Sequence, residues 1–220
     1  MVIELNERLA EITGNIIGDG CLYHSKYKRL VMMSGNIKDD KEFYEDMQKF
    51  IFELTGKEPK IKIHQRALRL IIQNKVFYEF FVEGLGMKYN GDKTYRVSIP
   101  QKITSNDVFV KACLRGIVDT DGSVFVAKKP GVPRYPSIEI TTVSKNLAFQ
   151  IEEILKKYGY RVRLRFYDPK NSVQVRTYKL ALNGWNMLKK WNDEIGFSHP
   201  IKKALAENIL KEKFGGAGVI

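Results

Sequence analysis

Acidic residues are scarce in this chain. Its 220 residues hold 25 Asp and Glu against 37 Lys and Arg, a net charge of +12. An imbalance of that size points to a polyanionic partner, most often nucleic acid. Cysteine is nearly absent. Cys21 and Cys113 stand alone, outside any Cys-x-x-Cys, so a disulfide framework is not indicated. Both are expected as small core residues, in keeping with a reducing cytoplasm. The three histidines, His24, His64 and His199, are too scattered for a zinc site and are expected at the surface or facing nucleic acid. No apolar run approaches the roughly 20 residues of a membrane helix. The opening Met1-Val2-Ile3-Glu4-Leu5 does not read as a secretion signal. No glycine-rich nucleotide loop is present.

What the chain does have, it has twice. Ile12-Thr13-Gly14-Asn15-Ile16-Ile17-Gly18-Asp19-Gly20 returns as Leu114-Arg115-Gly116-Ile117-Val118-Asp119-Thr120-Asp121-Gly122. Each copy is an apolar run with a small residue every fourth place, Gly14 and Gly18 or Gly116 and Thr120, and each ends in Asp-Gly. The lead-ins have helical period: Leu5, Leu9, Ile12 and Ile16, then Val110, Leu114 and Ile117. Glycine inside a helix costs about 1 kcal/mol relative to alanine, so its recurrence on one face needs a reason. Close approach of a second backbone supplies one. Two such helices packed on their small-residue faces would set Asp19 and Asp121 side by side at their C-terminal ends. There the helix dipole is negative, and a hard divalent cation between them relieves the repulsion.

The remainder of the chain supports duplication. Lys60-Ile61-Lys62-Ile63-His64 and Arg161-Val162-Arg163-Leu164-Arg165 both alternate basic and apolar residues, as half-buried strands with a cationic outer face. Arg161 follows Lys60 by 101 positions (161 − 60), and Asp121 follows Asp19 by 102 (121 − 19). Each half is expected to run α-β-β-α-β-β-α, an α+β fold of two pseudo-symmetric repeats, 1–104 and 105–220. Residues 89–105 serve as the linker, and the prolines Pro130, Pro133 and Pro136 mark a turn between strands. A hairpin loop is expected at Asp168–Ser172 and a disordered tail from Gly215.

These two stretches resemble the paired signature of LAGLIDADG homing endonucleases in their single-chain, two-repeat form. The second copy is the closer match; in the first, Ile17 replaces the inner Asp of the motif, which is not the metal-binding one. The resemblance spans nearly the whole chain. It implies site-specific hydrolysis of double-stranded DNA, cut across the minor groove to leave short 3′ overhangs. It also implies saddle-shaped antiparallel sheets as the DNA-binding surfaces, one per half-site. Asp19 and Asp121 would bind Mg²⁺ (or Mn²⁺) with the backbone carbonyls of Gly18 and Thr120. Lys202 or Lys203, with Lys93 a looser counterpart in the first repeat, would assist catalysis. Asn36 and Thr142 are further candidates after the second strand of each repeat. DNA contacts are expected from Lys28, Arg29, Lys60, Lys62, His64, Arg66 and Arg69, and from Arg134, Arg161, Arg163, Arg165, Arg176 and Lys179, extended by Tyr27 and Tyr135. The internal pseudo-dimer would act as a monomer, in the cytoplasm with access to DNA.

The alternative is a non-cleaving binder, such as an intron maturase or regulator on the same fold; intron RNA as a ligand is possible on this reading but not indicated. Retention of both Asp favours the enzyme. An intein is the less expected setting, since no splicing-junction Cys or Asn stands at either end.

Overall fold

The computed structural model describes residues 2–90, 93–169 and 175–214, with only the backbone at 93 and 94. The first repeat begins with α1 (Glu7–Asp19), whose N-terminal amide at Leu9 donates to the Asn6 side chain at 2.9 Å. β1 (Gly20–His24) and β2 (Arg29–Gly35) follow as a hairpin, then α2 (Lys41–Thr55), which ends on Gly56 in the left-handed region (φ 67°). β3 (Lys60–His64) and β4 (Ala67–Ile72) form the second hairpin. α3 (Lys75–Glu79) runs on through a π-helical turn, Phe80–Gly84. The expected linker is not featureless: it holds two short helices, α4 (Lys93–Arg96) and α5 (Gln101–Thr104).

The second repeat repeats that order. α6 (Asp107–Asp121) is capped by Asn106. β5 (Gly122–Lys129) and β6 (Val132–Thr142) pair through a turn confined to Pro130-Gly131. Pro133 and Pro136, expected in that turn, lie inside β6 instead. Pro136 still contributes its carbonyl, which accepts from the Gly184 amide at 2.8 Å. α7 (Lys145–Lys157) is capped by Ser144. β7 (Val162–Tyr167), β8 (Thr177–Asn183), α8 (Trp185–Glu194) and α9 (Pro200–Phe214) complete the chain. The loop expected at Asp168–Ser172 falls partly, and the glycine-rich tail wholly, outside the described residues.

The strands make two antiparallel four-stranded sheets of identical order, β1-β2-β4-β3 and β5-β6-β8-β7. One face of each is apolar: Leu22, Val31, Met33, Leu68, Leu70 and Ile72 are buried in the first, and Val124, Ile138, Ile140, Leu180 and Leu182 in the second. Both faces join a single hydrophobic core with Ile12, Ile16, Leu114 and Ile117 of the signature helices. Each fully buried side chain of this kind stabilises the fold by about 1.5–3 kcal/mol.

The signature helices meet on their small residues. A Cβ on Gly14 would lie 2.1 Å from the carbonyl oxygen of Cys113, and one on Gly116 would lie 2.1 Å from that of Glu11. One on Gly18 would strike Thr120 Oγ1 at 2.0 Å. Across the same interface Arg115 donates to Glu11 (3.0 Å) and to Glu7 (3.0 Å). Gly20 and Gly122 have a different reason to be glycine. Both are extended (φ −93° and −92°), and the strand leaving each helix passes so close over its last turn that a Cβ would meet Ile16 Cα or Val118 O at 2.5 Å.

Candidate metal and nucleic-acid site

Asp19 and Asp121 each end a signature helix, and both are exposed. They line one cleft of about 390 Å³, together with Gly18, Cys21, Asn90, Val97, Thr141 and Thr142. The Asp121 carboxyl carbon stands 3.4 Å from where a Cβ on Gly18 would be, so the second repeat's carboxylate reaches the backbone of the first. Two exposed carboxylates and adjacent carbonyl oxygens form a hard-oxygen donor set suited to Mg²⁺ or a similar cation. Among the described residues no group of three or more His, Cys, Asp or Glu could hold a metal. The remaining ligands at such an open site would be carbonyls, water and substrate oxygens. Cys21 was expected in the core; it is half-buried and faces this cleft, while Cys113 is buried as expected.

The three candidate lysines have different fates. Lys202 Nζ donates to the carbonyls of Asp119 and Gly122 at 2.7 Å, of Val118 at 2.9 Å and of Thr120 at 3.3 Å. Its ammonium thus caps the C-terminal end of α6 and offsets the negative end of that helix's dipole. Burial lowers its pKa, opposed by the charges of Asp119, Asp19, Asp40 and Asp121. The carbonyl of Thr120, a candidate metal ligand, is therefore also an acceptor for Lys202. Lys203, one residue further round α9, points elsewhere: it lines a separate hollow with Arg115, Phe197 and Glu207. The Lys93 side chain lies outside the described residues.

Around Lys202 stands a set of polar residues, of which Asp119 and Asp40 were not among the expected site residues. Asp119 is buried, and Oδ2 accepts from the Ser198 amide at 2.8 Å, just before α9. Burial pushes its pKa up to about 6, against the Ser198 hydrogen bond. His199 is buried at 3% exposure, which corrects its expected surface position, and Nε2 pairs with Asp40 Oδ1 of the first repeat at 2.7 Å. Asp40 Oδ2 accepts from the Asn36 amide at 2.5 Å. Burial alone would raise the Asp40 pKa, but the His199 and Asn36 hydrogen bonds hold it below the usual carboxylate range. Asn36 itself is a turn residue whose Oδ1 accepts from the Lys38 amide, while Thr142 lines the cleft. His24 is half-buried, its ring packed against Tyr78 and Tyr89 with centroids 5.8 and 5.1 Å away.

The opposite sheet faces are cationic, as the alternation implied. Lys60, Lys62 and His64 of β3 are exposed on the same face as Arg69 of β4, and Arg66 is exposed in the turn between them. Arg161, Arg163 and Arg165 are exposed in the second repeat. Lys62 stands directly opposite Arg69, and Arg165 directly opposite Lys179. Like charges in those positions are unfavourable in the free sheet, and a bound polyanion relieves them. Lys179 is partly compensated by Glu139 Oε2 at 2.9 Å, and that hydrogen bond raises its pKa. Lys28 and Tyr27 are exposed at the first hairpin, and Tyr135 lies beneath Lys129, 3.6 Å from its ring centroid. Two candidates face the wrong way. Arg29 pairs with Glu79 of α3 at 2.7 Å, and Arg134 pairs with Glu212 of α9; both sit on the alternate, helix-side positions of their strands. Arg176 is exposed but occupied by Asp168, 2.7 Å from Nε.

Residues 109–196 match the family model described as a LAGLIDADG-like domain. The structure superposes on I-DmoI in complex with DNA and Ca with a TM-score of 0.66, over 92% of this chain and 97% of that one. This is the two-repeat LAGLIDADG fold. Identity to I-DmoI is 18%. A second LAGLIDADG protein, the meganuclease I-AabMI bound to uncleaved DNA, matches at TM-score 0.59 and 14% identity, over 94% of this chain and 91% of that one. In sequence, a replication factor C small subunit of Methanocaldococcus jannaschii is 30% identical over 99% of this chain but only 11% of its own length. The chain spans between 11% and 21% of the length of the curated relatives it matches, so their names describe proteins of which the shared stretch is a minor part. No described helix is long and apolar enough to cross a membrane.

Proposed function

We propose that this chain is a divalent-metal-dependent endonuclease that cuts double-stranded DNA at a long specific site, with residues 1–104 and 105–220 each serving one half-site. The observation that carries it is the meeting of Asp19 and Asp121, one from each repeat, in a single cleft of a chain whose two sheets each carry exposed basic residues. The known structures of this fold that hold DNA with Ca, Mn or Mg support the choice of duplex and of a divalent ion.

In this reading Asp19 and Asp121 hold the metal with the carbonyls of Gly18 and Thr120. When bound, the ion would stabilise charge on the phosphate and lower the pKa of a bound water. Lys202, with its ammonium fixed on four carbonyls, keeps the end of α6 and hence Asp121 in place. Asp119 and the Asp40–His199 pair keep the start of α9 in place, and through it Lys202. Lys60, Lys62, His64, Arg66 and Arg69, with Arg161, Arg163, Arg165 and Lys179, bind the duplex, phosphate contacts providing most of the affinity. Products with short 3′ overhangs and action as a monomer belong to the same reading.

Incubation with a randomised duplex library in Mg²⁺, with EDTA as control, tests it. The expected result is enrichment of one long sequence among cleaved products, in Mg²⁺ only. Tight binding of one sequence without cleavage would make the chain a non-cleaving binder instead.

A further inference from the structure

Glu139 is the only acidic residue in any of the described strands. It does not point into the core. Its register partners are Ser123 on β5 and Ala181 on β8, and Ala181 is in turn opposite Arg163. Glu139 therefore lies on the cationic face, and it lines a groove of about 270 Å³ with Arg163, Arg165, Lys179, Ala181 and Asn183. The small side chain of Ala181 leaves the space between Arg163 and Glu139 open.

A carboxylate on a face that meets DNA is costly wherever it approaches a phosphate. In the major groove it can be repaid only by a donor, which means the amino group of cytosine or of adenine. Adenine places the N7 acceptor beside its amino group, which a carboxylate would oppose. Cytosine offers the amino group with no neighbouring acceptor on that edge. The guanine paired with it presents O6 and N7 acceptors, which suit an ammonium. Lys179 Nζ and Glu139 Oε2 are 2.9 Å apart, a hydrogen-bond length. Guanine O6 and cytosine N4 are also separated by a hydrogen-bond length, since they bond to each other in the base pair.

Resting on the DNA-binding reading above, we propose that Glu139 and Lys179 act as one reading unit that selects a C·G pair in the half-site of the second repeat, Glu139 accepting from cytosine and Lys179 donating to guanine. The first sheet has no counterpart: its opposed cations, Lys62 and Arg69, lie on a face without a carboxylate among the described residues. The two half-sites therefore differ in kind at this position. The second requires a cytosine on a stated strand, and the first offers no carboxylate to accept from one.

The test is equilibrium binding, in Ca²⁺, of the wild-type protein and of Glu139→Gln and Lys179→Met to the selected duplex and to its single-base-pair variants. The expected result is one position in the second half-site where the wild type prefers C·G by about tenfold or more. In Glu139→Gln that preference falls by a similar factor or shifts towards A·T, which glutamine reads, while other positions keep theirs. Lys179→Met weakens the same position. If Glu139→Gln instead tightens binding to every duplex equally and changes no preference, Glu139 only neutralises Lys179 and the assignment is overturned. If the wild type binds duplex DNA without any preference, the reading of the chain as a site-specific nuclease falls with it.

Discussion

Gly14 and Cys113 stand so close across the helix pair that a methyl group on the glycine would lie 2.1 Å from the cysteine's carbonyl oxygen. Gly116 stands in the same relation to Glu11. The obstacle in each case is backbone, which cannot swing aside. Gly14→Ala and Gly116→Ala are each expected to destabilise the protein by about 1–3 kcal/mol through overpacking. Gly84→Ala, whose methyl would meet nothing nearer than 3.8 Å, serves as the control and should leave stability unchanged or slightly higher. Thermal denaturation of the three variants reads this directly; equal tolerance at all three positions would remove the close-packing argument.

Lys202 and Lys203 are neighbours in sequence and opposites in role. Lys202→Met strips a donor from the half-buried carbonyls at the end of α6 and should cost about 1–3 kcal/mol in the metal-free protein. Lys203→Met, on the other side of α9, should cost nothing measurable. Denaturant melts of both in EDTA separate a positioning lysine from one that acts only during the reaction, since the latter would leave stability untouched.

The Asp40–His199 pair joins the repeats at the edge of the site. Asp40 has its pKa depressed below the ordinary 3.8 in the folded protein. A depressed carboxylate contributes stability that is present above the unfolded pKa and lost as pH falls through the folded one. Wild-type stability should therefore fall more steeply below about pH 4 than that of Asp40→Asn, which lacks the titrating group. Urea melts at pH 6 and pH 3 give the comparison; parallel losses in both proteins would mean that Asp40 contributes nothing to acid sensitivity.

Lys62, directly opposite Arg69, is expected to trade stability for affinity. Lys62→Gln should stabilise the free protein by a few tenths of a kcal/mol. It should also weaken DNA binding and lower the slope of log K against log salt by roughly one. A binding constant and slope equal to those of the wild type would remove Lys62 from the DNA face.

Much of this was legible beforehand, for identifiable reasons. The small-residue spacing of Gly14, Gly18, Gly116 and Thr120 encodes helix contact directly, and the alternation at Lys60–His64 and Arg161–Arg165 encodes a two-faced strand. What escaped was set by long-range packing. Arg29 and Arg134 are basic residues in strands, but the strand register turns them towards Glu79 and Glu212. His199 looked like a solitary polar residue because its partner, Asp40, lies 159 positions away. Asp119 carried the one available hint: where the first repeat has Ile17, the second has a buried carboxylate in an apolar run, which needs a donor such as the Ser198 amide.

The central claim is that Asp19 and Asp121 act on one shared metal site although each belongs to a different repeat. Its most direct test is duplex cleavage and binding by Asp19→Asn and Asp121→Asn in Mg²⁺, on the selected target. Each single substitution is expected to abolish double-strand cutting while leaving affinity for the target within a few-fold of wild type, because the cationic sheet faces proposed to bind it are untouched. Full double-strand cutting by either variant would contradict the claim.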